Sequence, residues 1–284
     1  MKNSNDIKSS FKKAGFSNSD IQAVYAGIAK IRAEEKNFSD KSEKGWNDAF
    51  IASECFYVLI TKAVNSCLRH SDKLSKDEKS SKIYTFTALD ELQRRAAQQY
   101  LEILTLIKHG FPDGAFARWR SMYELSVIGA FILKYGEAVA EKFIEASGTQ
   151  DRYDWAMASG EFPETKRHVT FGDILKLCDI DNDAWKEDYT AANQTVHASP
   201  QGTFGRLGTQ DGSDTISRRS DYGIAAPAIE SASTLALLTS MLCSIYQDEN
   251  TTKIITLAAN WLEELTEIYC NTHDNLFPDD TEDF

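Results

Sequence analysis

The stretch HGFPDGAFARWRSMYELSVIGAFI, His109–Ile132, decides the fold class. Pro112 and Gly114 end one element, and Asp113 is placed to cap the next. From Ala115 onward the apolar residues recur with a helical period. At about 100° per residue, Phe116, Ala117, Tyr123, Leu125, Val127, Ile128, Phe131 and Ile132 form one broad apolar arc. Arg120 and Glu124 fall inside that arc, four residues apart and so on one face. Arg118 points the other way. A charge in an apolar stripe is costly unless it is paired and hydrogen-bonded. Two readings follow. The pair is a salt bridge locking this helix to its neighbours, or it is part of a polar site inside a helical bundle, with donors left for a ligand.

Outward from this stretch the chain reads as helix after helix. TFTALDELQRRAAQQYLEILTLIKHG precedes it and ends at Gly110, so the two are expected to pack as an antiparallel hairpin. Further upstream, Ser19 with Gln22 reads as a helix start, and KGWNDAFIASECFYVLITKAVNSCLRH as a second long helix. Ser71 to Lys82 is polar and reads as an exposed connection. Downstream, Gly136 breaks the chain, and shorter helical segments follow. The glycine-rich section from Gly202 to Gly223 is either a short β-hairpin or a flexible flap. Two last helices run from Ala226 to Gln247 and from Thr251 to His273. The expected fold is therefore all-α, a multi-helix bundle of one domain over residues 1–284. Residues 1–70 would form an N-terminal helical cap, and residues 274–284 an acidic tail.

The composition fits a folded chain with a sizeable core: 284 residues, 42% hydrophobic, mean hydropathy −0.40. Five prolines and 15 glycines disfavour a sandwich of many short strands. Lys and Arg number 31 against 43 Asp and Glu, a formal charge of −12. That balance argues against a nonspecific nucleic-acid binder, which carries a basic field. The start, MKNSNDIKSSFKKAGF, lacks an apolar leader core. The longest apolar stretch, Ala225 to Tyr246, contains Glu230 and several serines and reads as a buried helix. Cys55, Cys67, Cys178, Cys243 and Cys270 form no C-x-x-C pair. Those at 55, 67 and 243 read as buried free thiols. A cytoplasmic protein with no membrane partner is the expectation.

Two further constellations stand out. Trp185, Tyr189, Asn193 and His197 follow each other at four-residue intervals, one stripe of one helix. Pro200 and Gly202 stop that helix just beyond His197. A histidine there is a core or capping residue, or a general base near pH 7. Arg206, Arg218 and Arg219 sit in the glycine-rich section. They are solvated charges, or a clamp for a phosphate or carboxylate. No phosphate-loop, nucleophile-elbow, zinc-protease or dinucleotide-fold pattern occurs. The five histidines show no metal-ligand spacing, so no metal and no cofactor is expected.

The segments GFPDGAFARWRSMYEL, YTAANQTVHASPQG and RSDYGIAAPAIESASTLALLTSML together resemble a bacterial helical family of unknown function, number 5677 among such domains. The likeness spans residues 104–243. Its hallmarks fall here on Arg120, Glu124, His197, Asp221, Tyr222, Gly223 and Pro227. The resemblance implies an all-helical fold and a shared polar site. The chain is also loosely similar to the HEPN superfamily of helical bundles, many of them ribonucleases of toxin–antitoxin and anti-phage systems. Those enzymes carry an arginine four to six residues before a histidine. No histidine here has one, so Arg120 and His197 would have to meet from two helices.

What this likeness implies is a defence or toxin protein cutting RNA without a metal. His197 would be the acid–base group, Arg120 would steady phosphorane charge, and Glu124 would orient Arg120. Tyr189, Asn193, Arg206, Arg218 and Tyr222 would bind the substrate. The partners on this reading are RNA, an antitoxin or other protein, and a second copy in a homodimer. The alternative is a non-catalytic helical sensor or scaffold that binds a small ligand or a protein partner, with Arg120–Glu124 purely architectural.

Overall fold

The computed structural model describes residues 4–150, 152–178, 180, 182–197, 200–204 and 219–278. Eleven α-helices run through them: α1 (Ser4–Lys13), α2 (Asn18–Ser71), α3 (Lys76–Ser80), α4 (Ile83–Lys108), α5 (Pro112–Tyr135), α6 (Glu137–Glu145), α7 (Phe171–Lys176), α8 (Asn182–Val196), α9 (Pro200–Phe204), α10 (Ala225–Ile245) and α11 (Glu249–Leu276). Two 3₁₀ turns, Ala146–Gly148 and Asp154–Ser159, lie between α6 and α7. No strand occurs among the described residues, and the fold is all-α. The stretch that would hold the hairpin, residues 205–218, lies outside them.

Several boundaries differ from those read in the sequence. α2 is a single helix of 54 residues, about 80 Å long, because no proline interrupts it. It starts at Ser17 rather than Ser19. The Ser17 hydroxyl accepts from the Asp20 amide at 3.2 Å, and the Asp20 carboxylate accepts from the Ser17 amide at 2.9 Å. An ionised carboxylate three residues on makes the stronger capping box. The polar connection Ser71–Lys82 contains α3, closed by the same device between Ser75 and Glu78. α5 begins at Pro112, at the position where a missing amide costs nothing. Asp113 lies in its first turn, and no side chain caps it.

The centre of the bundle is α4, α5 and α10, each packed against the other two. α2 and α11 pair with each other, and both lie against α10. α6 covers α4, and α8 covers α5. Because α5 is enclosed on nearly every side, its burial is not one-sided. Trp119 and Met122, outside the expected arc, are fully buried with it. The Trp119 indole donates to Thr234 of α10 at 3.0 Å, while Arg118 pairs with Glu102 of α4. One continuous cluster of buried side chains runs from Trp46 of α2 to Tyr269 of α11.

Two helices, α2 and α10, are long and apolar enough to cross a membrane by length and composition alone. In α10, 61% of the most apolar window is buried inside the bundle, and in α2 39%. All five cysteines are free. Cys67, Cys178 and Cys243 are buried, but Cys55 is exposed rather than buried as expected.

Candidate functional site

The polar pair of α5 meets the aromatic stripe of α8. An Arg120 terminal nitrogen lies 2.9 Å from a Glu124 carboxylate oxygen, one helical turn on. The Arg120 Nε donates to the side-chain oxygen of Asn193. The guanidinium carbon lies 5.6 Å from the centre of the Tyr189 ring, and the Tyr189 hydroxyl donates to Glu124 at 3.3 Å. Each α8 residue is one turn from the next, so two turns of α8 grip two charges of α5. Below them the rings stack up. Tyr123 sits 4.8 Å from Tyr189 and 5.7 Å, edge-on, from Trp185. Phe171 of α7 closes the cluster at 6.0 Å from Tyr189.

The electrostatics of this set are those of a clasp. Burial pushes the Tyr123 phenol up to about 12. It raises Tyr189 as well, with the Glu124 charge adding to the shift and Arg120 opposing it. Both phenols therefore keep their protons at neutral pH, and Tyr189 acts as a donor to Glu124. Arginine stays charged and asparagine has no titratable proton.

Sequence-derived candidates divide into three groups. Arg120, Glu124, Tyr189 and Asn193 come together as described. His197 follows the last residue of α8 and is exposed. Its backbone amide donates to the Asn193 carbonyl at 3.3 Å, and the side chains on Arg120 are those of Asn193, Glu124 and Tyr189. Gly202, the third residue of α9, lies so close to α8 that an added Cβ would be 1.9 Å from the Gln194 carbonyl oxygen. That glycine serves close backbone packing rather than flexibility.

Tyr222 belongs to a different place. Its ring packs on Phe277 and on His273 of α11, at 5.1 and 5.6 Å. Asp221 beside it is buried and pairs with Lys41 of α2 at 3.2 Å. Arg219 is a strap residue: it donates to the His109 carbonyl at 2.7 Å, lies 3.6 Å from Glu35, and covers the Phe111 ring. Arg206 and Arg218 lie outside the described residues.

One feature escaped the sequence reading. Between α8, α10 and α11 lies a cleft of about 450 Å³, lined by Glu187, Asp188, Ala225, Ala226, Ile229, Glu230, Cys270, His273 and Asp274. Glu230 is the only charged residue in the apolar stretch of α10, which is the signal that marked it. Burial, with the Asp188 charge added, pushes its carboxyl up to about 7, against an opposing hydrogen bond from Trp185. One Glu230 carboxylate oxygen is enclosed with no hydrogen-bond partner. α8 thus contributes to both places, through Tyr189 and Asn193 to the clasp and through Glu187 and Asp188 to the cleft. Among the described residues no group of three or more His, Cys, Asp or Glu is arranged to hold a metal ion.

Residues 88–170 match the model of a family of unknown function (DUF5677). The matched region begins and ends earlier than the resemblance read in the sequence. It contains Arg120 and Glu124, and excludes His197, Asp221, Tyr222, Gly223 and Pro227. The match carries no likeness to the HEPN superfamily. No curated protein matches the chain, and no solved structure does.

Proposed function

We propose that this chain is a non-catalytic helical module that binds a small ligand or a protein partner, with the Arg120 constellation as the clasp that holds α8 on the bundle. The observation that carries the reading is the engagement of the Arg120 side chain by protein groups. Its Nε, one terminal nitrogen and its face are engaged by Asn193, Glu124 and Tyr189. An arginine steadying phosphorane charge needs its donors directed at the substrate oxygens. Here Nε is directed at Asn193 of the neighbouring helix and one terminal nitrogen at Glu124 of its own. The histidine that would supply acid–base chemistry is exposed, a turn beyond the clasp. The cleft on the other side of α8 supports ligand binding, since its volume suits a small molecule. The acidic formal charge supports a protein or small-molecule partner over RNA.

The test is incubation of the purified protein with total cellular RNA, wild type beside Arg120→Ala and His197→Ala, with thermal melts of all three. The module reading expects intact RNA in every lane, a lowered Tm for Arg120→Ala and an unmoved Tm for His197→Ala. RNA cut by the wild type and spared by a well-folded His197→Ala variant would instead establish the nuclease of the HEPN-like reading.

A further inference from the structure

A second cleft lies between α4, α6 and the 3₁₀ turns that follow α6. Its volume is about 430 Å³, within the range of small-ligand sites. The floor is apolar: Ala88 of α4, Phe143 and Ile144 of α6, and Trp155 of the second 3₁₀ turn. Trp155 presents its ring there with no unmet polar demand, because its indole N–H already donates to the Arg152 carbonyl at 3.1 Å. Phe143 meets that ring edge-on at 5.0 Å, which fixes it as a wall. The rim carries one cation, Arg152, and one carboxylate, Glu91. Among the described residues no carboxylate lies within ion-pair distance of Arg152. Its guanidinium carbon lies 5.3 Å from the centre of the Tyr153 ring, and among the described residues its N–H donors have no hydrogen-bond partner. Every lining residue except Thr87 falls within residues 88–170.

We infer that this cleft binds a small apolar carboxylate, with an aromatic or short aliphatic body on Phe143, Ile144 and Trp155 and its carboxylate on Arg152. An apolar floor gives affinity without selectivity for charge. The arginine fork matches a carboxylate with two parallel hydrogen bonds and selects the anion over its neutral analogue. Glu91 on the same rim sets the opposing charge, so it limits affinity for an anion. The inference stands apart from the clasp: it concerns other residues, and either can fail alone.

The experiment is calorimetric titration of the full chain with phenylacetate, hexanoate and the neutral phenylacetamide. The expected result is saturable binding of both acids, with the amide weaker by about tenfold, the effect of losing one charge-assisted contact. Arg152→Gln should reduce phenylacetate affinity to that of the amide, and Glu91→Gln should increase it. Thr87→Trp, which places a large ring at the exposed α4 rim, should abolish binding while leaving the fold intact by circular dichroism. No saturable binding of either acid, or equal affinity for acid and amide in wild type and Arg152→Gln alike, would overturn the inference.

Discussion

Glu230 shows what one residue does when a fold encloses it. Its carboxyl is pushed up to about 7 by burial beside Asp188, while in the unfolded chain it titrates near 4.5. Folding therefore disfavours the ionised form. In acid both states hold the proton and the residue is neutral in its effect. As pH rises from about 4.5 to about 7 the unfolded state releases the proton first, and stability is lost. The expected outcome is that Glu230→Gln and wild type unfold alike at pH 4, and that the variant becomes the more stable of the two by pH 8. Urea unfolding across that range measures it. A constant difference at every pH would contradict the account. Gly110 is fixed by its backbone and by its neighbour together. Its φ is 77°, and an added methyl would meet the Phe38 ring at 2.5 Å. Gly110→Ala should cost about 2 kcal/mol from backbone strain and displaced packing, seen as a lower urea midpoint.

At the scale of elements, the side chains of α8 that meet α5 are largely polar and aromatic, with Ala192 buried beside them. Removing Arg120 leaves the Asn193 oxygen and the Glu124 carboxylate without their cation. The Arg120→Ala variant should then show faster amide hydrogen exchange along α8 while α4 and α10 keep wild-type protection, because local opening follows the loss of local contacts. Unchanged exchange in α8 would show that the aromatic stack alone holds it. The long helices themselves were legible: α4 and α5 from the recurrence of apolar residues, α10 from one long apolar run. α3 and α9 were not, because five-residue helices carry too few apolar positions to show a period. α3 did carry a signature, Ser75 followed three residues later by Glu78, inside a stretch read only for its polarity. The full enclosure of α5 was hidden for the opposite reason. Trp119 and Met122 are apolar on the face taken as outward, and nothing local says that α4 and α10 will cover them.

For the molecule as a whole, the site was half legible. A stripe rule applied to one helix finds Arg120 with Glu124, and applied to another finds Tyr189 with Asn193. That the two stripes meet is a tertiary fact which spacing cannot supply. Spacing carried the stripe to His197, one residue past the end of the helix at Val196. The acidic cleft was almost wholly out of reach, because Asp188, Glu230 and Asp274 come from three helices, and the one signal was the lone charge in α10. What joins these places is α8, with the clasp on one side and the cleft on the other, so the stability of its docking is the central physical claim. The direct measurement is a double-mutant cycle on urea unfolding with Arg120→Ala, Asn193→Ala and the double variant. The account predicts that each single change costs about 1–2 kcal/mol and that the pair couples by about 1 kcal/mol, because both remove the same contact. Additive effects with no coupling, in variants that unfold as cooperatively as wild type, would contradict it.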